Sequence, residues 1–182
     1  GGRHAPALLA LWPSAGPELR ERIAEYLAAV GHDLPADAGS SGVMEALALA
    51  ARPGEAGAGN SRLVELVSSS SAAASALLPV TAARADARFV PVLVAIARRH
   101  PSMKERTLEV LAGLPLDLSR DAAVPDDLVE AEIVSHNAAR RVTGYRLAAL
   151  VVSPADRILQ GLSDPDILVR RAAGDALQGR AE

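Results

Sequence analysis

Capping residues and prolines recur along this chain, each opening an apolar-periodic stretch of about 9 to 15 residues that glycine or proline then closes. Punctuation at that spacing leaves room for helices and for little else. Composition agrees: 38 alanines and 25 leucines stand among the 182 residues, and the β-branched and aromatic residues that strands favour are comparatively few. The aromatics are four, Trp12, Tyr26, Phe89 and Tyr145. The expectation is an all-α protein of about eleven helices, with connections mostly under about ten residues and therefore antiparallel neighbours packed in sequence order. Helical content of roughly 60 to 70% follows, well above the usual third.

The individual helices can be read from their starts and stripes. Pro17 opens one with Leu19, Ile23, Leu27 and Val30 on one face before Gly31 ends it. Ser40 or Ser41 caps Val43 to Ala51, and Ser61 caps Arg62 to Val67. From Asp86 to Arg99 the stripe of Phe89, Val92, Leu93 and Ile96 is widened by Val90 and Val94, as in a buried inner helix. Ser102 and Glu105 have capping-box spacing ahead of Met103, Thr107, Leu111 and Leu114, which Gly113 to Pro115 closes. Further helices open at Pro125, at Asn137, at Ser153-Pro154 with Ile158, Leu159 and Leu162 inward, and at Asp164-Pro165. Gly54 to Gly59 and Leu116 to Val124 are the long loops.

The list contains an internal repeat. Aligning Pro17, Pro101 and Asp166 places Arg22, Arg106 and Arg171 together five residues on, and Leu27, Leu111 and Ala176 together ten residues on. The separations of 84 and 65 residues leave room for helix pairs of about 28 to 32 residues between them.

Near the end, Ser153 to Leu162 leads into Ser163-Asp164-Pro165-Asp166 and then Ile167-Leu168-Val169-Arg170-Arg171-Ala172-Ala173-Gly174-Asp175-Ala176-Leu177. Asp164 can accept bonds from first-turn amides, Pro165 has the φ of a first helical position, and Asp166 sets negative charge at the positive helix end. Val169, Ala172, Ala173, Ala176 and Leu177 share one face, whose small residues admit a close neighbour. This segment resembles a HEAT repeat of the bacterial HEAT-like type through Asp164, Pro165, Asp166, Val169, Arg170, Ala172, Ala173, Ala176 and Leu177. The resemblance is clear over residues 153–178, partial at 86–114 and 5–30, and faint elsewhere. It implies a right-handed superhelical solenoid, here of about five to six antiparallel helix pairs, with second helices lining a concave side that binds proteins or, in some members, nucleic acid.

Chemistry has little to work with. The net charge is −3, with no footprint for a polyanion over the whole molecule, and there is no cysteine for a disulfide, a thiolate nucleophile or a thiolate zinc site. His4, His32, His100 and His136 are never four apart, so no metal site is expected; His32 and His100 stand where imidazole can cap helix-end carbonyls. The glycines from Gly54 to Gly59 lack the Gly-Lys-Ser/Thr ending and a preceding strand, which favours a plain interhelical loop. Ser68 to Ser71 followed by Ala72 to Ala74 reads as tight packing rather than a modification tract. Carboxylate pairs such as Glu21/Glu25, Glu105/Glu109 and Asp126/Asp127 read as solvated charge, with no partner placed to complete an acid/base site. No run of residues is apolar enough to span a bilayer, and the start lacks a signal peptide's apolar stretch, so a cytoplasmic protein is expected.

The arginines point furthest toward function. From His136 on they give a charge of about +2, while residues 1–135 sum to about −5. Their place in the repeat makes Arg22, Glu25, Arg106, Glu109, Arg141, Arg170 and Arg171 the expected partner-facing set; the competing reading has such arginines tying repeats together, for example Arg171 to a turn aspartate. The leading expectation is a non-catalytic scaffold, without cofactor, that recognises a protein or peptide of unknown identity. The alternatives are a nucleic-acid-binding, DNA-glycosylase-like member, for which four aromatics and no basic groove are poor equipment, and an enzyme helper resembling the HEAT-like bilin lyases. The chain reads as a single helical-repeat domain over 1–182, a fragment of a longer chain judging by Gly1-Gly2, whose regular final repeat invites self-association or further repeats.

Overall fold

The computed structural model describes residues 2–39, 41–52, 58–115, 124–150 and 155–178. Among these, 76% are helical and none is in a strand. Eleven α-helices follow one another: α1 Ala5–Leu11, α2 Pro17–Ala29, α3 Gly42–Ala51, α4 Ala58–Ser69, α5 Ser71–Arg84, α6 Val90–Arg99, α7 Lys104–Ala112, α8 Asp126–Ile133, α9 Ala138–Ala148, α10 Ala155–Gly161 and α11 Ile167–Gln178. Short 3-10 turns stand at Trp12–Ser14, Ala87–Phe89 and Pro101–Met103.

The helices pack by sequence neighbourhood. α2, α5, α7, α9 and α11 touch in succession and make a continuous row; the three helices matched by the 84- and 65-residue offsets all belong to it. Against this row lie α3 on α2 and α5, α4 on α5, α6 on α7, α8 on α9 and α10 on α11. One apolar core threads between, with Ile23, Leu47, Leu77, Phe89, Leu93, Ile96, Leu108, Leu111, Leu147 and Ile158 wholly enclosed. Each such side chain contributes ~1.5–3 kcal/mol relative to exposure. Between them sit alanines, among them Ala24, Ala28, Ala50, Ala73, Ala74, Ala172 and Ala173, which hold the helices close because no side chain keeps them apart.

Helix starts follow local chemistry, with several departures from the sequence reading. Ser41, Ser70, Asp86 and Asn137 cap α3, α5, the Ala87–Phe89 turn and α9 by accepting an amide two or three residues on. Ser61 is no cap, since α4 already begins at Ala58. The Ser102/Glu105 capping box does not form: Pro101–Met103 winds as a 3-10 turn, and α7 starts at Lys104 with no side-chain cap. Pro165 stands ahead of α11 rather than in its first position, and Asp166 accepts the Leu168 amide at 2.8 Å. Leu19, Leu159 and Leu162 are 48%, 48% and 41% exposed instead of inward. The neighbours of α2 cover only its Ile23 to Ala28 turns, and α10 turns Ile158 inward, which leaves Leu159 about 100° away around the helix. Ser40, residues 54–57, residues 116–123, Ser153 and Pro154 lie outside the described residues.

Two glycines mark where helices meet most closely. A Cβ on Gly144 of α9 would stand 2.7 Å from the Ile133 amide nitrogen of α8, and one on Gly161 of α10 would stand 2.6 Å from the Tyr145 ring and 2.7 Å from the Ala173 Cβ. By contrast a Cβ on Gly174, inside α11, meets nothing nearer than Leu162 at 4.0 Å. Gly161→Ala is therefore expected to lower stability by about 1–3 kcal/mol through overpacking. Gly174→Ala should raise it by about 0.5–1 kcal/mol through helix propensity. Urea denaturation of the two variants checks the pair; shifts of the same sign would contradict this packing.

Candidate functional site

Glu18, Glu21, Arg22 and Glu25 succeed one another at helical spacing along α2, on the side away from its buried Ile23, Ala24, Leu27 and Ala28. α5 meets this side with Ser75 and Pro79, one turn apart, and α7 adds Arg106; together the seven residues line a groove of about 560 Å³. Pro79 lies inside α5 and has no amide hydrogen to give the Ser75 carbonyl. Arg22, whose side chain is 81% exposed, leans on Glu25, which is 22% exposed, at 3.6 Å. Burial pushes the Glu25 carboxyl above the usual carboxylate range; Arg22 pulls it back and Glu21 adds to the rise. Glu18, Glu21 and Arg106 form no ion pair among the described residues. A second recess of about 410 Å³ adjoins, sharing Glu21 and lined also by Arg20, Ala38 and Met44.

The structure thus gathers three of the seven sequence-selected residues, Arg22, Glu25 and Arg106, in one groove. Glu109 and Arg171 stand exposed elsewhere on α7 and α11. Arg141 is committed to the fold: Nε and Nη2 donate to the two Asp164 carboxylate oxygens at 2.9 and 3.0 Å, while Nη1 donates to the Ser135 and His136 carbonyls at 3.0 and 3.1 Å. Arg141, and not Arg171, is the arginine that reaches the turn aspartate. Arg170 donates through Nη1 to the Asp164 and Pro165 carbonyls at 2.8 and 3.0 Å. Of the repeat residues, Val169, Ala172, Ala173 and Ala176 are buried and Leu177 half-buried.

Three further ties escaped the sequence reading. Arg84, in the last turn of α5, donates to the Ala28, Ala50 and Ala51 carbonyls at 3.4, 3.0 and 3.0 Å, and Arg88 to those of Ala50 and Arg52. Glu132 of α8, 3% exposed, takes a two-pronged bond from Arg140 at 2.7 and 2.8 Å. His100 sits 2.6 Å from the Val67 carbonyl, a helix-end contact of the kind its position allowed. Among the described residues there is no cluster of three histidines and carboxylates able to hold a metal ion, and no helix long and apolar enough to cross a membrane. Comparison with protein-family models, with curated proteins and with solved structures found no match.

The Arg141 hydrogen bonds hold the Asp164 carboxyl below the usual range, against the opposing effect of burial and with help from the Asp166 amide. The unfolded chain therefore takes up this proton first. The stabilisation is complete above the ordinary aspartate value of about 4 and is lost as pH falls through the lowered folded value. Urea midpoints should fall more steeply below about pH 4 in the parent than in Asp164→Asn; equal slopes would remove Asp164 from this account.

Proposed function

We propose that this chain is a non-catalytic, cytoplasmic scaffold of HEAT-like helical repeats that binds a protein or peptide along the row of α2, α5, α7, α9 and α11. Two features support the repeat architecture. The row is continuous, and the turn bonds before α9 recur before α11: Ser135 accepts the Asn137 amide as Asp164 accepts that of Asp166, and Asn137 accepts the Ala139 amide as Asp166 accepts that of Leu168. Each counterpart lies 29 residues on.

The observation that carries the binding reading is the groove. It collects the charges of Glu18, Glu21 and Arg106, which have no ion partner among the described residues. Three carboxylates accept hydrogen bonds from a lysine or arginine of an extended peptide, and Arg22 and Arg106 donate to its carbonyls or to an acidic side chain. A phosphate backbone would meet a wall with three carboxylates against two guanidinium groups, so the nucleic-acid alternative draws no support from this site.

Panning a displayed random-peptide library against the full chain tests this. Enriched peptides should carry a basic residue, and the double variant Glu21→Arg with Arg106→Glu should lose their binding by about tenfold or more with Tm unchanged, as expected for exposed charges. Failure to enrich any peptide, or equal binding by the variant, would overturn the assignment.

A further inference from the structure

The recess beside the groove differs from it in chemistry. Ala15, Pro17, Ala38 and Met44 supply apolar lining, Ala15 and Met44 from the core and Ala38 from a turn that its amide closes on the Pro35 carbonyl at 3.0 Å. Arg20 and Ser41 also line the recess but are engaged by the protein itself. Arg20 turns Nε and Nη2 back to the Trp12 and Pro13 carbonyls at 3.2 and 3.3 Å, and the Ser41 hydroxyl accepts the Met44 amide at 3.3 Å. Glu21 completes the lining, belongs to the groove as well, and has no ion pair among the described residues.

The chain's single tryptophan touches both walls of this recess. Trp12, 2% exposed, lies with its ring centroid 5.7 Å from the Arg20 guanidinium, and it donates through Nε1 to Asp37 Oδ1 at 3.1 Å, next to Ala38 in the turn. An extended segment that passes from the groove to the recess crosses Glu21, and side chains two residues apart on such a segment share a face, roughly 6–7 Å from one another. We infer that the recess takes an apolar side chain of leucine size, two residues from the basic residue that the groove receives. A polar side chain there would find Ser41 and Arg20 engaged, whereas an apolar one covers Ala38 and Met44. This rests on the groove binding a basic peptide, and it adds the second residue that decides which basic peptides are taken.

Blocked pentapeptides Gly-Leu-Ser-Arg-Gly and Gly-Arg-Ser-Leu-Gly, one for each chain direction, are titrated into the full chain beside counterparts with serine in place of leucine. In one direction the leucine peptide should bind about fivefold tighter or more than its counterpart and change the Trp12 fluorescence, while the serine peptides bind in the calorimeter without that change. Ala38→Leu, which fills the recess, should erase the leucine advantage and leave serine-peptide affinity as it was; the comparison on the parent chain stands whatever the variant's stability. Equal affinities of leucine and serine peptides, or Trp12 fluorescence indifferent to both, would overturn this inference and leave the groove reading in place. Absence of binding by all four would overturn the two together.

Discussion

The last carbonyls of a helix and the carbonyls of a turn have no amide within their own segment, and in this chain cations from elsewhere in the sequence answer them. Arg84 closes the ends of α2 and α3 together through Ala28, Ala50 and Ala51; Arg88 repeats the closure on α3; Arg141 and Arg170 hold the turns that lead into their own helices. Short helices of seven to fourteen residues have a large share of their backbone in such end groups. Where such a carbonyl is enclosed, loss of the tie would leave an unpaired acceptor, at a cost of about 1–3 kcal/mol apiece. The row of helices therefore depends on guanidinium geometry as well as on apolar burial.

Apolar burial supplies the second constraint by an unusual distribution of volume. Large side chains such as Phe89, Leu93 and Ile96 fill the inner helix α6 and its surroundings, while between α9, α10 and α11 alanine and glycine stand among Tyr145, Leu147, Ile158 and Val169. The Tyr145 ring fills what would be a gap over Gly161 and Ala173, and burial there pushes its hydroxyl above the usual value. Close backbone approach on one side of each helix leaves the other side free for charge, which is how α2 can bury Ile23 and Leu27 while carrying four charged residues into the groove.

The all-helical class and most element starts were legible because punctuation is local: Pro17, Ser41 and Asn137 act within three residues of themselves. Arg22 and Arg106 were legible as neighbours because the 84-residue offset matched two members of one row. The remainder of the groove was not, since Ser75 and Pro79 sit in α5, where small residues obscure any repeat. The aspartate tie was looked for at Arg171 and is made by Arg141, whose register equivalent is Arg170, because Ser135-His136-Asn137 does not look like Asp164-Pro165-Asp166. Its equivalence shows only when both turns are seen to make the same bonds. One residue on a helix is about 100° of direction, enough to turn a structural arginine into a solvent-facing one. Buried Glu132 had no signal at all, because its burial is set by Gly144 letting α9 approach and by Arg140 covering it eight residues away.

The claim on which the account rests is that Arg141 of α9 ties its helix to the turn before α11 through the Asp164 carboxylate. A double-mutant cycle on Arg141→Ala and Asp164→Ala, read by urea denaturation at neutral pH, measures that junction directly. For a two-pronged pair that is mostly enclosed, a coupling energy of about 1.5 kcal/mol or more is predicted. A coupling under about 0.5 kcal/mol, the size found for exposed surface pairs, would contradict it.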